Sequence, residues 1–170
     1  MKRLLKYTEI LKHLERTGWK RKDISSPETV ASHSYQMAMM ALFLSTTDNK
    51  EYDFDKVLKL CLIHDLAESK IGDIIPNDVA YKNKKQKEKE AMLSISQELN
   101  MPILYELFLE YDENKTKEAN LANDLDQIDM YVQSKAYEAK YPNKDLEEFR
   151  LSAITKIRTK LGLSILNHIG

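Results

Sequence analysis

The sequence predicts an all-α protein that folds as one domain. Its 170 residues include only four glycines and four prolines but many leucine, lysine, glutamate, alanine and methionine residues, a composition typical of helices. Few runs alternate aromatic or β-branched residues with polar ones, so strands find little support. With 42% hydrophobic residues, a chain of this length can bury one real core. We therefore expect residues 1–170 to form a single domain.

Charge and cysteine content argue against several kinds of partner. The formal net charge is -1 with both signs interspersed, which predicts no binding to a nucleic acid polymer or to an anionic membrane. No apolar stretch approaches the roughly 20 residues that a membrane helix needs. Cys61 is the only cysteine and cannot form an internal disulfide, and no apolar run follows Met1. These features favour a cytoplasmic location.

The first predicted helix covers residues 4–14, where apolar residues have helical spacing, and Gly18 should end it before a loop over residues 20–27. Arg16 and the only tryptophan, Trp19, lie at this end. They could form a clamp for an anionic ligand, because a guanidinium group offers a planar fork to phosphate. On these residues alone, a surface arginine beside a tryptophan that fills the core is the better interpretation.

The second predicted helix begins at Ser26 and Pro27 and continues to about Ser45. His33 lies at helical spacing from Val30 and from two methionines, so it should face inward. An isolated inward histidine is usually satisfied by neighbouring core residues, and His33 alone does not indicate a metal site.

The third predicted helix, which Asp55 can cap, leads into a stretch that combines a histidine, a serine and three carboxylates, His64-Asp65-Leu66-Ala67-Glu68-Ser69-Lys70-Ile71-Gly72-Asp73. The dense apolar residues before it place His64 and Asp65 against the core. A buried aspartate needs a partner, and a cation is a suitable one. Glu68 shares a helical face with both residues, and a stop at Gly72 leaves Asp73 on the next loop.

The C-terminal half begins with a charge run over residues 82–90. It predicts a solvated loop that enters another helix, although one of its lysines could reach a phosphate. Further helices are expected from Pro102, over residues 117–141 and over residues 145–161. These last helices should supply packing.

The long helix over residues 117–141 carries three aspartates. Asp124 is flanked by Leu121 and Ile128, which turns it towards the core stripe. Asp126 points about 200° away and is expected in solvent, and Asp129 is the second choice. Candidate ligands thus arise on three helices: His33, His64, Asp65 and Asp124. Two nitrogen and two oxygen donors would hold a divalent ion and leave positions open for water and substrate, as in catalytic sites.

The order of these residues resembles the HD-domain metal-dependent phosphohydrolases. Five blocks in sequence resemble the 5′-deoxynucleotidase branch: Arg16-Thr17-Gly18-Trp19, Pro27-Glu28-Thr29-Val30-Ala31-Ser32-His33-Ser34, Ile63-His64-Asp65-Leu66-Ala67-Glu68, Gly72-Asp73-Ile74 and Asn123-Asp124-Leu125-Asp126. The resemblance covers about residues 10–135, followed by packing helices to residue 170. One position departs from the family pattern, because Ser32 stands where a glutamate is usual.

The resemblance implies an HD-type helical bundle that hydrolyses nucleoside 5′-monophosphates, preferably 2′-deoxynucleotides, to nucleoside and phosphate. It implies that His33, His64, Asp65 and Asp124 bind a divalent ion (Co, Mn, Mg, Fe or Zn), and that Glu68 and Asp73 are needed for turnover or, as in some relatives, help to hold additional metal. It also implies that Arg16, Trp19, Asp73, Ile74, Ile75 and Pro76 line the nucleotide site. Trp19 is the large flat side chain near Arg16, so it is the candidate for packing against the sugar. A homodimer is also implied.

Two alternatives stay open at this point. The scaffold could hydrolyse another nucleotide phosphoester, or it could be a non-catalytic binding module that retains a metal as a staple. The presence of Glu68 and Asp73 argues against the second alternative.

Overall fold

The computed structural model describes residues 1–76 and 78–170, and every regular element in these two ranges is helical, as predicted. The helices are α1 Lys2–His13, α2 Thr17–Arg21, α3 Val30–Ser45, α4 Phe54–Ile63, α5 Glu68–Ile71, α6 Lys84–Leu99, α7 Pro102–Glu113, α8 Lys117–Lys140, α9 Glu147–Lys156 and α10 Lys160–Ile169, with a 3₁₀ helix at Val79–Asn83. Among these described helices, none combines the length and apolarity needed to cross a bilayer.

Helix α8 is central to the bundle. It packs against α3, α4 and α7 on one side of the molecule and against α9 and α10 on another. The main core lies among α1, α3, α4, α6, α7 and α8, and its fully buried residues include Val57, Leu60, Leu121 and Leu125. Because two sets of helices cover α8, more than one of its faces is buried.

The segment between α1 and α3 differs from the expected loop. Helix α1 ends at His13, and Gly18 lies inside the short helix α2 instead of ending α1. An isolated antiparallel bridge joins Glu15 to Thr29, and the Arg16 N–H donates to the Glu28 carbonyl at 3.0 Å. This pairing holds Arg16 beside the start of α3.

Two helix starts also differ by a few residues from the predicted ones. Thr29 caps α3, because its hydroxyl accepts the Ser32 N–H at 3.2 Å, and Ser26 lies outside the helix. Asp53 caps α4, where its carboxylate accepts the Lys56 N–H at 3.1 Å, and Asp55 lies in the first turn. Side-chain acceptors at the N-cap satisfy N–H groups that lack helical partners.

The His64–Asp73 stretch does not continue α4 as one regular helix. Helix α4 ends at Ile63, and hydrogen bonds between residues three apart follow, from Leu66 to Ile63 at 3.0 Å and from Glu68 to Asp65 at 3.0 Å. These tighter turns change the direction of the side chains of residues 64–67 from that in a regular α-helix, before the four-residue helix α5 begins. Gly72 ends α5 with φ of 77°, as its predicted role as a stop requires.

The predicted last helix over residues 145–161 is two helices, α9 and α10. The break lies at residues 157–159, where Asp124 of α8 accepts the backbone N–H groups of Arg158 at 2.9 Å and Thr159 at 2.7 Å. These donors point at a side chain of another helix, so the chain turns between α9 and α10.

Candidate metal and active site

Two histidines meet where α3 approaches the turn after α4. The Nε2 atoms of His33 and His64 lie 3.3 Å apart, and both side chains are almost fully buried. Asp65 Oδ2 lies 3.1 Å from His64 Nε2, and Asp126 Oδ1 of α8 lies 3.1 Å from His33 Nε2. Ligands about 2 Å from one ion stand about 3 Å from each other. The donor atoms of His33, His64 and Asp126 all lie within 4.8 Å of one another, which fits a shared divalent cation, and Asp65 Oδ2 lies 4.0 Å from His33 Nε2.

The second ring nitrogen of each histidine has a protein partner. His64 Nδ1 donates to the Cys61 carbonyl at 2.9 Å, and His33 Nδ1 lies 2.6 Å from Asp129 Oδ2. Metal-binding histidines in proteins are usually oriented in this way by an acceptor on the nitrogen that faces away from the ion. Both imidazoles therefore present Nε2 to the same point.

Asp124 is not part of this cluster, so its predicted place there is wrong. It is buried, as expected, but its carboxylate faces α9 and α10 and accepts the N–H groups of Arg158 and Thr159. Asp126, which was expected in solvent, points at His33 instead. Asp124 and Asp126 are two positions apart on α8, so they point to different faces of the helix, and the histidines lie on the face of Asp126.

The pKa values in the cluster favour a positive charge at its centre. Burial and Arg16 oppose protonation of His33, yet Asp126 and Asp129 raise its pKa to about 10. Burial opposes ionisation of Asp126, but the hydrogen bond with His33 lowers its pKa to about 2. Asp65 is partly buried, which opposes its ionisation, but His64, Arg16 and His33 together lower its pKa. A divalent cation can supply the charge that these carboxylates require.

Glu68 lies beside the cluster as a nearly isolated buried acid. Its side chain is 2% exposed, and its Oε2 atom has no hydrogen-bond partner among the described residues. Burial raises the pKa of Glu68 to about 10, and the charges of Asp65 and Asp73 add to this effect. Lys84 Nζ lies 3.8 Å from Glu68 Oε1 and opposes the shift. In the absence of an ion, this shift favours the protonated Glu68 carboxyl at neutral pH.

Arg16 reaches the cluster from the segment before α2. Its Nη1 atom lies 3.4 Å from Asp65 Oδ2, and only 17% of its side chain is exposed. Burial works against its charge, but Asp65, Asp126 and Asp73 together raise its pKa. Arg16 therefore carries a permanent positive charge next to the proposed ligands.

Trp19 does not present a free aromatic face to a ligand. It is 1% exposed and forms a second hydrophobic cluster with Ile24, Tyr137 and Leu146. Its indole N–H donates to Glu28 Oε1 at 2.8 Å. Such low exposure leaves little of the ring for a sugar to pack against, so the alternative of a tryptophan that fills the core agrees better with this geometry.

The loop from Asp73 to Pro76 is fastened to α2. The Thr17 N–H donates to Asp73 Oδ2 at 2.5 Å, and the Thr17 hydroxyl donates to the Asp73 carbonyl at 2.9 Å. Arg21 donates to the Pro76 carbonyl at 3.3 Å and pairs with Asp78 at 2.6 Å. Asp73 thus ties the loop to the residue that follows Arg16.

A cavity of about 910 Å³ opens beside the cluster. Its walls include the expected residues Arg16, Trp19, His64, Asp65, Glu68 and the whole Asp73–Pro76 segment. They also include Asp126, Lys84 and Tyr111, which the sequence did not single out as site residues. The cavity is large enough for a nucleotide, since pockets for small ligands range over about 300–1,000 Å³. Further cations line it: Arg21, Lys22, Lys82, Lys85 and Lys156.

No simple sequence signal identifies Asp126 or Lys84. Apolar periodicity separates buried from exposed faces, but it cannot say which buried face of a doubly covered helix meets the site. Lys84 belongs to a charge run in which one lysine resembles the next. Ser32 is exposed, as expected for a side chain that points away from the ligand face.

Comparison with known proteins agrees with this architecture. A family model described as HD domain matches residues 8–165. The 5′-deoxynucleotidase HDDC2 of Dictyostelium discoideum is 38% identical over 152 residues, which cover 84% of this chain and 80% of that protein. The 5′-deoxynucleotidase hdd1 of Schizosaccharomyces pombe is 39% identical over 149 residues, which cover 82% of this chain and 73% of that protein.

A solved structure shows the same fold. The PH0347 protein from Pyrococcus horikoshii superimposes with a TM-score of 0.86 at 35% identity, covering 99% of this chain and 97% of that one. A match to the family model over nearly the whole chain and relatives of this identity lead to one conclusion. The chain belongs to the HD domain family.

Proposed function

We propose that this protein is a metal-dependent phosphohydrolase that cleaves nucleoside 5′-monophosphates, preferably 2′-deoxynucleotides, to nucleoside and inorganic phosphate. The observation that carries the proposal is the convergence of His33, His64, Asp65 and Asp126 at the wall of a cation-lined cavity. The substrate class rests on the names of the 5′-deoxynucleotidases that the chain resembles.

The four clustered side chains are the proposed ligands. They would hold a divalent ion, which would act as a Lewis acid on phosphoryl oxygens and would lower the pKa of bound water. Imidazole suits Zn and Fe, whereas carboxylates suit Mg and Mn, so this mixed donor set fits several of the metals expected from the sequence. The protein contributes the fixed positions of the donors.

Glu68 is the proposed proton donor. Burial raises its pKa and so favours the neutral carboxyl, and it lines the cavity beside Asp65. Cleavage of a phosphomonoester leaves an alkoxide on the nucleoside, which must receive a proton. A neutral carboxyl at this place can deliver it, and such a donor contributes about 10²–10⁴-fold to a rate.

Arg16 and Lys84 are proposed to bind the phosphate. Both side chains are largely buried and line the cavity close to Asp65 and Glu68. Arginine provides a planar fork for phosphoryl oxygens, and lysine provides a compact charge. Together they would offset the negative charge that develops on the phosphoryl group.

Asp73 is proposed to act by positioning. Its carboxylate is already engaged by the Thr17 N–H, so it holds the Asp73–Pro76 loop against the segment that carries Arg16. Ile74, Ile75 and Pro76 then form one wall of the nucleotide site. Because Trp19 is buried, this wall is the better candidate for contact with the sugar.

A second copy of the chain is the proposed partner besides the substrate. Exposed apolar residues of α3 occur at helical spacing and share a face: Tyr35, Met39, Leu42 and Phe43. A homodimer through this face would cover them, and light scattering of the unmutated protein and of Phe43→Glu tests it. Loss of the dimer in the variant is expected, and a monomeric unmutated protein would contradict the idea.

The test of the function is a panel of deoxy- and ribonucleoside 5′-monophosphates with several divalent ions, with release of inorganic phosphate as the readout. We expect deoxynucleotides to be cleaved faster and chelation to stop the reaction. Turnover of another nucleotide phosphoester alone would favour the broader phosphohydrolase alternative. A metal-loaded protein inert towards every phosphoester would favour the binding module.

A further inference from the structure

Asp129 makes the most deeply buried ionic contact near the proposed metal site. Its Oδ2 atom lies 2.6 Å from His33 Nδ1, and both side chains are 0% exposed. Asp129 follows Asp126 by three residues on α8, so the two carboxylates lie on neighbouring positions of one helical face. One helix thus contacts both nitrogens of the same imidazole.

The state of that imidazole decides whether it can bind a cation. A neutral histidine carries one proton, and only the nitrogen without the proton has a lone pair for a metal. An ionised carboxylate accepts hydrogen bonds and donates none. A carboxylate on Nδ1 therefore keeps the proton there and leaves the Nε2 lone pair for the ion.

We propose that Asp129 is a positioning residue of the metal site, which fixes the Nδ1-protonated form of His33 and the direction of its ring. This inference rests on the proposed function, because it requires a divalent ion at Nε2. Asp129 does not touch the ion or the substrate. Its effect reaches them only through His33.

The surroundings of Asp129 are unfavourable for a buried carboxylate. Its Oδ1 atom is buried and has no hydrogen-bond partner among the described residues. An unpartnered buried acceptor costs about 1–3 kcal/mol, and more when it is charged. The nearby acid Glu28 has its pKa raised by burial and by Asp129, and its Oε1 atom accepts the Trp19 indole N–H. A purely structural role would not require this unfavourable arrangement.

A second cation held by Glu28, His33 and Asp129 is the competing interpretation. One donor atom from each of these residues lies within 4.8 Å of the others. However, the 2.6 Å contact between His33 Nδ1 and Asp129 Oδ2 is typical of a charge-assisted hydrogen bond and is closer than the spacing of about 3 Å between ligands of one ion. The number of ions bound per chain separates the two interpretations.

The experiment compares Asp129→Asn with Asp124→Asn. Both replace a buried carboxylate of α8, but Asp124 lies outside the metal site, and its partners among the described residues are the backbone N–H groups at the start of α10. The affinity of each metal-free protein for Co²⁺ is measured by calorimetry and by the visible absorption of bound Co²⁺. Thermal melting in chelator reports the stability of each variant.

We expect one ion per chain in the unmutated protein and about 10- to 100-fold weaker Co²⁺ binding in Asp129→Asn, the range found for partners of metal-bound histidines. Asp124→Asn should bind Co²⁺ with unchanged affinity although it melts at a lower temperature. Unchanged affinity in Asp129→Asn, an equal loss in both variants, or two ions per chain would overturn the proposal. An unmutated protein that binds no divalent ion would instead overturn the proposed function, and this inference with it.

If Asp129→Asn does not fold, the unmutated protein still provides a test. In the Zn²⁺-loaded protein, the ¹⁵N spectrum of His33 should show a proton on Nδ1 and none on Nε2. A proton on Nε2 would overturn the inference without any variant.

Discussion

Asp124→Asn should lower the stability of the protein while leaving the proposed metal site intact. The carboxylate of Asp124 accepts the Arg158 N–H at 2.9 Å and the Thr159 N–H at 2.7 Å. Asparagine has one acceptor oxygen, so its amide group would place a donor against one of these two donors. The start of α10 would then lose a charged acceptor and keep a buried N–H without a partner.

The magnitude follows from these two hydrogen bonds. A bond to a charged acceptor contributes about 1.5–3 kcal/mol, and an unsatisfied buried N–H costs about 1–3 kcal/mol. Loss of a negative charge near a helix N-terminus adds about 0.3–1 kcal/mol. Because these effects overlap at one pair of donors, we expect the free energy of unfolding to fall by about 2–4 kcal/mol. For a domain of this size that corresponds to about 4–16 °C in Tm.

Urea and thermal denaturation in the presence of chelator measure this loss without any contribution from bound metal. Gly162 packs closely against the same carboxylate, and a Cβ at this position would overlap Asp124 Oδ2. Gly162→Ala should therefore destabilise α10 as well. An Asp124→Asn protein that melts like the unmutated one, or that loses metal although Asp126 is present, would refute the reasoning.

Three further predictions concern the cavity and its walls. Glu68→Gln should cut kcat by about 10²-fold or more. It should also raise Tm, and this gain should grow from pH 5 to pH 9. The reason is that the pKa of Glu68 is about 10 in the folded protein, so the unmutated protein loses stability as the pH rises above the pKa of Glu68 in the unfolded chain. A constant Tm difference across that range would contradict the raised pKa. Arg16→Ala and Lys84→Met should each raise KM for deoxy- and ribonucleotides alike, and steady-state kinetics that show a change for one sugar alone would exclude phosphate contact. Trp19→Ala should destabilise the protein by about 3–5 kcal/mol, as for other buried aromatics, and a large change in sugar preference at unchanged stability would restore Trp19 as a sugar contact.

Sequence and structure agree where a single local pattern decides the outcome. Composition predicts the helical class, and apolar spacing turns His33 and His64 inward, where the structure brings their Nε2 atoms to 3.3 Å from each other. Gly72 ends its helix with the left-handed backbone that glycine allows. The resemblance to HD-domain proteins added Arg16, which no spacing rule would have joined to a histidine 17 positions later.

The predictions and the structure differ where contacts between distant parts of the chain determine the conformation. Helix α8 is covered on two sides, so an inward aspartate can face either the histidines or α10, and the pattern around Asp124 cannot distinguish them. The same contact from Asp124 also splits the predicted last helix, together with Thr159, which caps α10 by accepting the Gly162 N–H at 2.9 Å. The turn at residues 64–67 interrupts a sequence with good helix formers. In this turn, backbone hydrogen bonds join residues three apart, and Asp65 Oδ2 lies 3.1 Å from His64 Nε2.

The central claim is that Asp126, with His33, His64 and Asp65, forms the metal site on which phosphate release depends. The most direct measurement determines bound divalent ion and phosphate release from a deoxynucleoside 5′-monophosphate on the same samples of the unmutated protein, Asp126→Asn and Asp124→Asn. We predict that Asp126→Asn loses both the ion and the activity, whereas Asp124→Asn keeps both at a temperature where it is folded. Full activity and metal content in Asp126→Asn, with loss of both in folded Asp124→Asn, would contradict the account.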